Sequence, residues 1–94
     1  MLTNKAKLID LFQSATRNKE VNYICVRIEI EDAEGILHTE SIVFHRREFD
    51  YKLNYYLNAY DTDLRLKAND NIRIKSAMSC TNTTHEKVRM MYVF

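Results

Sequence analysis

The pattern of apolar and polar residues predicts two helices and about five strands. Residues 4–17 carry apolar side chains at helical spacing, and Thr3 or Asn4 is placed to cap the first turn. Residues 47–60 have the same periodicity and predict a second helix. Elsewhere apolar and polar residues alternate, as they do in half-buried strands. The expected structure is a single α+β domain over 1–94, with order α-β-β-α-β-β-β and a small antiparallel sheet covered by two helices.

The first predicted hairpin has a loop at residues 32–35, with aspartate at its start and the only glycine of the chain at its end. Such a loop fits a type I turn followed by a left-handed residue. This register places Ile24 opposite Phe44 and puts Glu40 on the apolar face. A slip of one residue would bury Val43 instead. The first register is preferred because it matches the larger apolar groups.

A second hairpin is predicted from residues 63–67 and 72–78, closed by Asn69-Asp70-Asn71, since asparagine and aspartate suit tight turns. Five of its residues are expected to point inward: Leu64, Leu66, Ile72, Ile74 and Met78. Residues 87–93 form the last predicted strand. Its inward positions are Val88, Met90 and Tyr92, and a polar loop over 79–86 precedes it.

The second predicted helix leaves two tyrosines away from its apolar stripe of Phe49, Leu53, Tyr56, Leu57 and Tyr60. Tyr51 and Tyr55 lie about 160–200° around the helix from that stripe. Arg47 and Asn58 flank them. Exposed tyrosine beside arginine and amide groups is typical of protein-binding surfaces, because the ring brings a large area with little conformational freedom. The other interpretation is that the first helix covers both rings.

Basic residues share one face of the second predicted hairpin. They are Arg65, Lys67, Arg73 and Lys75, and Arg89 of the last strand extends the set. In the expected register Lys67 lies opposite Arg73, and directly opposed like charges are destabilising. The face therefore indicates either a negatively charged partner such as nucleic acid or neutralisation within the chain. The candidates for neutralisation are Glu29, Glu31, Asp32 and Glu34.

Composition narrows the class of protein. The chain is 46% hydrophobic and 29% charged, which argues against a disordered protein, a fibre and a membrane span. Its net charge of +1 gives no strong overall attraction to nucleic acid or to a membrane surface. With no apolar leader segment, we expect a cytoplasmic protein whose two cysteines are reduced. The abundance of lysine, asparagine, isoleucine and tyrosine favours an AT-rich gene, such as those of low-GC bacteria, phages and mobile elements.

Motifs for catalysis and cofactor binding are sparse. One glycine cannot supply a phosphate-binding loop, the histidines lack metal-ligand spacing, and neither cysteine belongs to a CxxC pair. We therefore expect no enzyme, no cofactor and no metal. One catalytic arrangement stays open, a Cys/His pair made from Cys25 or Cys80 with His45 or His85.

The sequence predicts a small non-enzymatic protein-binding or regulatory module. Met91 and Val93 alternate outward on the last strand, and an apolar outward face there can mark a dimer contact. The expected protein-binding residues are therefore Arg47, Tyr51, Tyr55, Asn58, Met91 and Val93. The expected partner is an unidentified protein or a second copy in a homodimer, and no membrane. The alternative is a nucleic-acid-binding domain that uses Arg65, Lys67, Arg73, Lys75 and Arg89.

Overall fold

A computed structural model describes residues 3–17, 22–79 and 91–94. Two helices pack on one face of a five-stranded antiparallel sheet, which confirms the predicted α+β fold and its element order. The elements are α1 (Asn4–Ala15), β1 (Tyr23–Glu31), β2 (Leu37–His45), a 3-10 turn (Arg46–Glu48), α2 (Phe49–Ala59), β3 (Arg65–Leu66), β4 (Asn69–Ser79) and β5 (Met91–Val93).

The strands lie in the order β2-β1-β4-β3, and β5 also pairs with β4. Because β3 pairs with the first half of β4 and β5 with residues 76–78, both short strands share one side of β4. At the other side of the sheet β2 is the edge strand. The predicted register of the first hairpin is confirmed, since Ile24 lies opposite Phe44 and Val26 opposite Ile42.

The core lies between the helices and the inner face of the sheet. Its buried apolar residues are Leu8, Leu11, Phe12, Ala15, Ile24, Val26, Ile28, Ile42, Phe44, Leu53, Tyr56, Tyr60, Leu64, Ile74 and Ala77. At its centre the ring of Phe12 lies 6.0 Å from that of Phe44 and 5.8 Å from that of Tyr56. Burial of a side chain as large as Phe12 stabilises the fold by about 1.5–3 kcal/mol. These contacts join α1, β2 and α2.

The loop of the first hairpin has the predicted left-handed glycine. Gly35 has φ +83°, and its N–H donates to the carbonyl of Asp32 at 3.0 Å. The carboxylate of Asp32 accepts from the backbone N–H groups of Glu34 and Ile36, both at 2.9 Å. His38 also contacts this carboxylate, and that hydrogen bond, followed by the one from the Ile36 N–H, lowers the pKa of Asp32 below its usual value.

A second loop after α2 repeats this geometry without glycine. The N–H of Leu64 donates to the carbonyl of Asp61 at 3.0 Å, and the Asp61 carboxylate accepts from the N–H groups of Asp63 and Arg65. Leu64 takes the left-handed position, with φ 61°, and its side chain is fully buried. The left-handed backbone costs about 1–2 kcal/mol, and burial of the leucine offsets it with about 1.5–3 kcal/mol.

The second hairpin differs from its prediction. The strands turn at residues 67–68, and Asn69-Asp70-Asn71 lies within β4. A bulge between β1 and β4 shifts the register after residue 29, so that Ala77 points inward while Met78 lies opposite the outward Arg27. The expectation that Met78 points inward was therefore wrong.

The structure bears on only part of the last predicted strand. Tyr92 packs against the core and donates a hydrogen bond from its hydroxyl to the Asp10 carboxylate at 2.8 Å, as its inward position predicts. This hydrogen bond raises the pKa of Tyr92. The predicted inward residues Val88 and Met90, and the loop after Ser79, lie outside the described residues.

Substitution of Gly35 by alanine tests the loop geometry. A Cβ at this position meets nothing within 4 Å, so the effect comes from the left-handed backbone alone. We expect Gly35→Ala to lower the free energy of unfolding by about 1–2 kcal/mol, measured by urea denaturation. The matched control, Glu34→Ala at an exposed position of the same loop, should change it by no more than about 0.5 kcal/mol. Equal effects of the two variants would contradict the assignment.

Candidate protein-binding surface

Helix α2 is held at both ends. At its start the backbone N–H of His45 donates to the Glu48 carboxylate, and the His45 ring accepts from the N–H of Arg47, each at 3.2 Å. At its end the ammonium group of Lys5 donates to the carbonyls of Leu57 and Tyr60, the second at 2.9 Å. A cation beside the last carbonyls also stabilises a helix, because the C-terminal end of the helix dipole is negative. These contacts fix the direction in which α2 presents its outer face.

The outer face of α2 carries the two predicted tyrosines. Tyr51 is 74% exposed and Tyr55 is 61% exposed, so α1 does not cover them. Arg47 and Asn58 are also exposed. Tyr51, Tyr55 and Asn58 follow one side of α2, and the exposed Arg47 lies in the 3-10 turn that precedes this surface. We call it the tyrosine surface.

A depression of about 280 Å³ lies beside the tyrosine surface. It is lined by Glu40, Tyr51, Lys52, Tyr55 and Tyr56. Glu40 belongs to the inner face of β2. It is exposed because it lies closer to the hairpin loop than Ile42 and Phe44, which are buried on the same face. The alternating pattern predicts Glu40 as a charge on an apolar face, but it contains no signal that connects this residue with α2. The depression combines aromatic walls with one acidic and one basic group.

Tyr56 connects this surface to the core. Its ring meets that of Tyr55 edge to face at 5.1 Å and stacks on that of Tyr60 at 6.1 Å. Edge-to-face pairs are among the geometries that aromatic rings prefer. Burial raises the pKa of Tyr56, and the charge of Glu40 adds to the effect. The pKa of Tyr60 is raised for the same two reasons, burial first.

Met91 and Val93 form a second exposed surface. They are 55% and 72% exposed on β5, as their outward alternation predicts. Tyr92, between them, points to the helix side, where it meets Asp10 of α1. Met91 and Val93 therefore lie on the face of the sheet opposite the helices. The predicted protein-binding residues thus occupy two separate surfaces.

The basic residues are partly neutralised within the chain. Nitrogen atoms of Arg73 and Lys75 each lie 3.8 Å from the carboxylate of Glu31, because β1 and β4 are neighbours. The guanidinium of Arg65 lies 3.1 Å from the carboxylate of Asp63. Lys67 is exposed in the turn.

The expected pairing of these cations was wrong. Arg65, and not Lys67, lies opposite Arg73, because the strands turn at residues 67–68 and an irregularity between Arg65 and Leu66 shifts their register. Arg89 lies outside the described residues. Of the two interpretations of this face, neutralisation within the chain therefore holds for Arg65, Arg73 and Lys75, and Glu31 was among the candidates for it.

Cys25 is disulfide-bonded, so the expectation of a reduced thiol there was wrong. The other cysteine of the sequence, Cys80, and His85 lie outside the described residues. A disulfide sulfur is not a thiolate nucleophile. The structure thus gives no support to a Cys/His pair that uses Cys25. Cytoplasmic localisation stays a prediction, and the expected reduced state of the cysteines no longer supports it.

Within residues 3–17, 22–79 and 91–94, no cluster of three or more His, Cys, Asp or Glu side chains could hold a metal ion. Neither described helix has the length and apolar character that crossing a membrane requires.

Comparison with known proteins adds no relative. The chain matches no protein-family model, and no curated protein or solved structure is significantly similar to it.

Alanine substitutions at two adjacent tyrosines test which of the two rings belongs to the core. Tyr56→Ala removes a buried ring and should lower the free energy of unfolding by about 3–5 kcal/mol. Tyr55→Ala should lower it by about 0.5–1.5 kcal/mol, since only an edge-to-face contact is lost. Urea denaturation measures both. A loss from Tyr55→Ala as large as that from Tyr56→Ala would place Tyr55 in the core.

Because the pKa of Tyr56 is raised, the free energy of unfolding should depend on pH in the alkaline range. The folded state holds the phenol proton more tightly than the unfolded state, whose pKa is near 10.0. This contribution is therefore complete below that pH and is lost as pH rises above it. We expect Tyr56→Phe to lose less stability than the wild type between about pH 8 and pH 11, measured by urea denaturation. Equal losses would contradict a role for Tyr56.

Charge reversal at Arg73 tests the ion pair with Glu31. Arg73→Glu replaces an attraction by a repulsion at a partly exposed site and should destabilise the fold by about 0.5–1 kcal/mol. Lys67→Glu, at an exposed turn position, is the matched control and should change stability by no more than about 0.5 kcal/mol. Stabilisation by Arg73→Glu would show that cation repulsion dominates this face.

Proposed function

We propose that the chain is a small non-enzymatic protein-binding module with a regulatory role. The observation that carries the proposal is the pair Tyr51 and Tyr55, exposed on a helix whose two ends are fixed. A rigid surface loses little freedom on binding, and tyrosine supplies both apolar area and a polar tip. The neighbouring depression with Glu40 and Lys52 offers polar groups that can fix the orientation of a partner.

The nucleic-acid alternative has less support. Arg65, Arg73 and Lys75 lie within 4 Å of carboxylates of the same chain, and the net charge is +1. Phosphate binding draws its strength from cations that are free to replace counterions. The described surface therefore favours a protein partner over nucleic acid.

Affinity capture from the cells that express the chain tests the proposal, with bound proteins identified by mass spectrometry. We expect the wild type to retain a protein that the double variant Tyr51→Ser/Tyr55→Ser loses. The matched control is Asn69→Ser/Asn71→Ser, at exposed positions of β4, which should retain it. Enrichment of no protein, or equal retention by the tyrosine variant, would overturn the assignment of this surface.

A second measurement addresses the alternative function. Short single-stranded oligonucleotides should show no retention at about 50 mM salt, where phosphate contacts are strong. Retention that weakens steeply with added salt would support nucleic-acid binding instead.

A further inference from the structure

The free side of β2 is a long hydrogen-bonding edge. Among the described residues β2 pairs with β1 alone, through all nine of its residues in one register. Two backbone hydrogen bonds flank this strand pair: the N–H of Asp32 donates to the carbonyl of Ile36, and the N–H of Arg46 donates to the carbonyl of Asn22. They show that the even-numbered residues of β1 and β2 are the ones hydrogen-bonded to each other. Because this alternation has a period of two, the N–H and C=O groups of the odd-numbered residues of β2 point to the free side.

This edge carries one inward-facing charge, Glu40, but lacks the other features that usually block strand addition. The strand, LHTESIVFH, contains no lysine and no proline, and its pairing with β1 runs in one register. Natural edge strands are commonly protected by such residues, by bulges or by short length. On the opposite side of the sheet, β3 has two described residues and β5 has three. Within the described residues, that side therefore carries only short strands, whereas β2 presents nine residues with no described strand beside its outer side.

The tyrosine surface lies beside the same edge. Helix α1 packs against β4, β1 and β5, whereas α2 packs against β2 and the side of α1. The depression joins Glu40 of β2 to Tyr51 and Tyr55 of α2. A strand added to β2 would lie next to these rings. The depression thus joins the edge strand β2 to two residues of the tyrosine surface.

We propose that a second copy of the chain fills this edge, its β2 lying antiparallel to the first β2 about a two-fold axis at Ser41. This proposal rests on the proposed protein-binding function and names the partner. Ser41 is the middle residue of β2, so this register pairs all nine residues of each strand. It also brings the odd-numbered residues of both strands opposite one another, as the outward N–H and C=O groups require.

Side chains are compatible with this register. Val43, which is 60% exposed, would lie opposite Thr39 of the second copy, a pair of β-branched residues that suits a sheet. Glu40 would lie opposite Ile42 of the second copy. A two-fold axis at residue 40 would instead oppose the two Glu40 carboxylates and is disfavoured for that reason. The net charge of +1 opposes self-association little.

The oligomeric state of the full chain tests the proposal. Size-exclusion chromatography with light scattering, from low to high micromolar concentration, should show the mass of the wild type rising to that of a dimer. Ser41→Pro removes the N–H that each copy donates across the axis while leaving the pairing with β1 intact. Loss of two hydrogen bonds should raise the dissociation constant roughly tenfold or more.

Two controls keep the result interpretable. Ser41→Ala keeps the backbone N–H and should dimerise like the wild type, and circular dichroism should show that Ser41→Pro is folded. If that variant does not fold, Ser41→Glu replaces it, because it opposes two carboxylates at the axis, and Ser41→Gln is its neutral control. Weaker dimerisation of the glutamate variant alone supports the proposal.

Three outcomes overturn the proposal, and the first two leave the proposed function intact. A monomeric wild type that still captures a protein through Tyr51 and Tyr55 shows that another protein is the partner. A dimer unaffected by Ser41→Pro but lost in Met91→Ser/Val93→Ser places self-association on β5. A monomeric wild type that also captures no protein contradicts both this proposal and the protein-binding function.

Discussion

The arrangement of the whole molecule depends on the buried contact of Phe12 with Phe44 and Tyr56. These three rings come from α1, β2 and α2, and Phe12 is far in the sequence from the other two, so their contact fixes how both helices lie on the sheet. Helix α2 packs mainly against its neighbouring 3-10 turn, α1 and β2. Tyr56 is therefore the principal aromatic anchor of α2. Because Tyr56 points inward, the helical angle turns Tyr51 and Tyr55 towards solvent. The surface proposed for binding is thus a consequence of core packing.

The sequence predicts the first hairpin well because its information is local. Alternation sorts the two faces, and aspartate followed three residues later by Gly35 specifies the loop. The second loop has the same hydrogen bonds, yet Leu64 occupies its left-handed position. Turn rules favour glycine, asparagine or aspartate there, so they pointed to Asn69-Asp70-Asn71 instead. What permits leucine is its complete burial, a tertiary effect that turn chemistry does not contain. The bulge opposite residue 29 is equally invisible to an alternating pattern, and it accounts for the wrong direction of Met78.

The candidate surface also has features that the sequence predicts and features that only the tertiary structure reveals. Helical periodicity alone predicts that Tyr51 and Tyr55 are exposed, because one helix contains all the information required. The depression requires Glu40 of β2 to meet α2, and the neutralisation of Arg73 requires β1 to lie beside β4. Both depend on strand order and helix placement, which the periodicity of single elements does not encode. Ion pairs between neighbouring strands were therefore predictable in kind, with Glu31 among four candidate carboxylates, but the sequence did not single it out.

The nature of the exposed groups limits how this surface can recognise a partner. The chain is nearly neutral, and three of its basic strand residues already face carboxylates, so long-range electrostatic attraction contributes little to an encounter. What remains is short-range: backbone N–H and C=O groups along β2, the rings of Tyr51 and Tyr55, and one acid and one base in the depression. Backbone groups select an extended strand of any sequence, whereas rings and a depression select particular side chains. In the proposed complex, specificity for one partner would therefore come from α2, and β2 would supply the common geometry of strand addition. A fixed α2 next to the edge strand β2 would meet both requirements within one small domain.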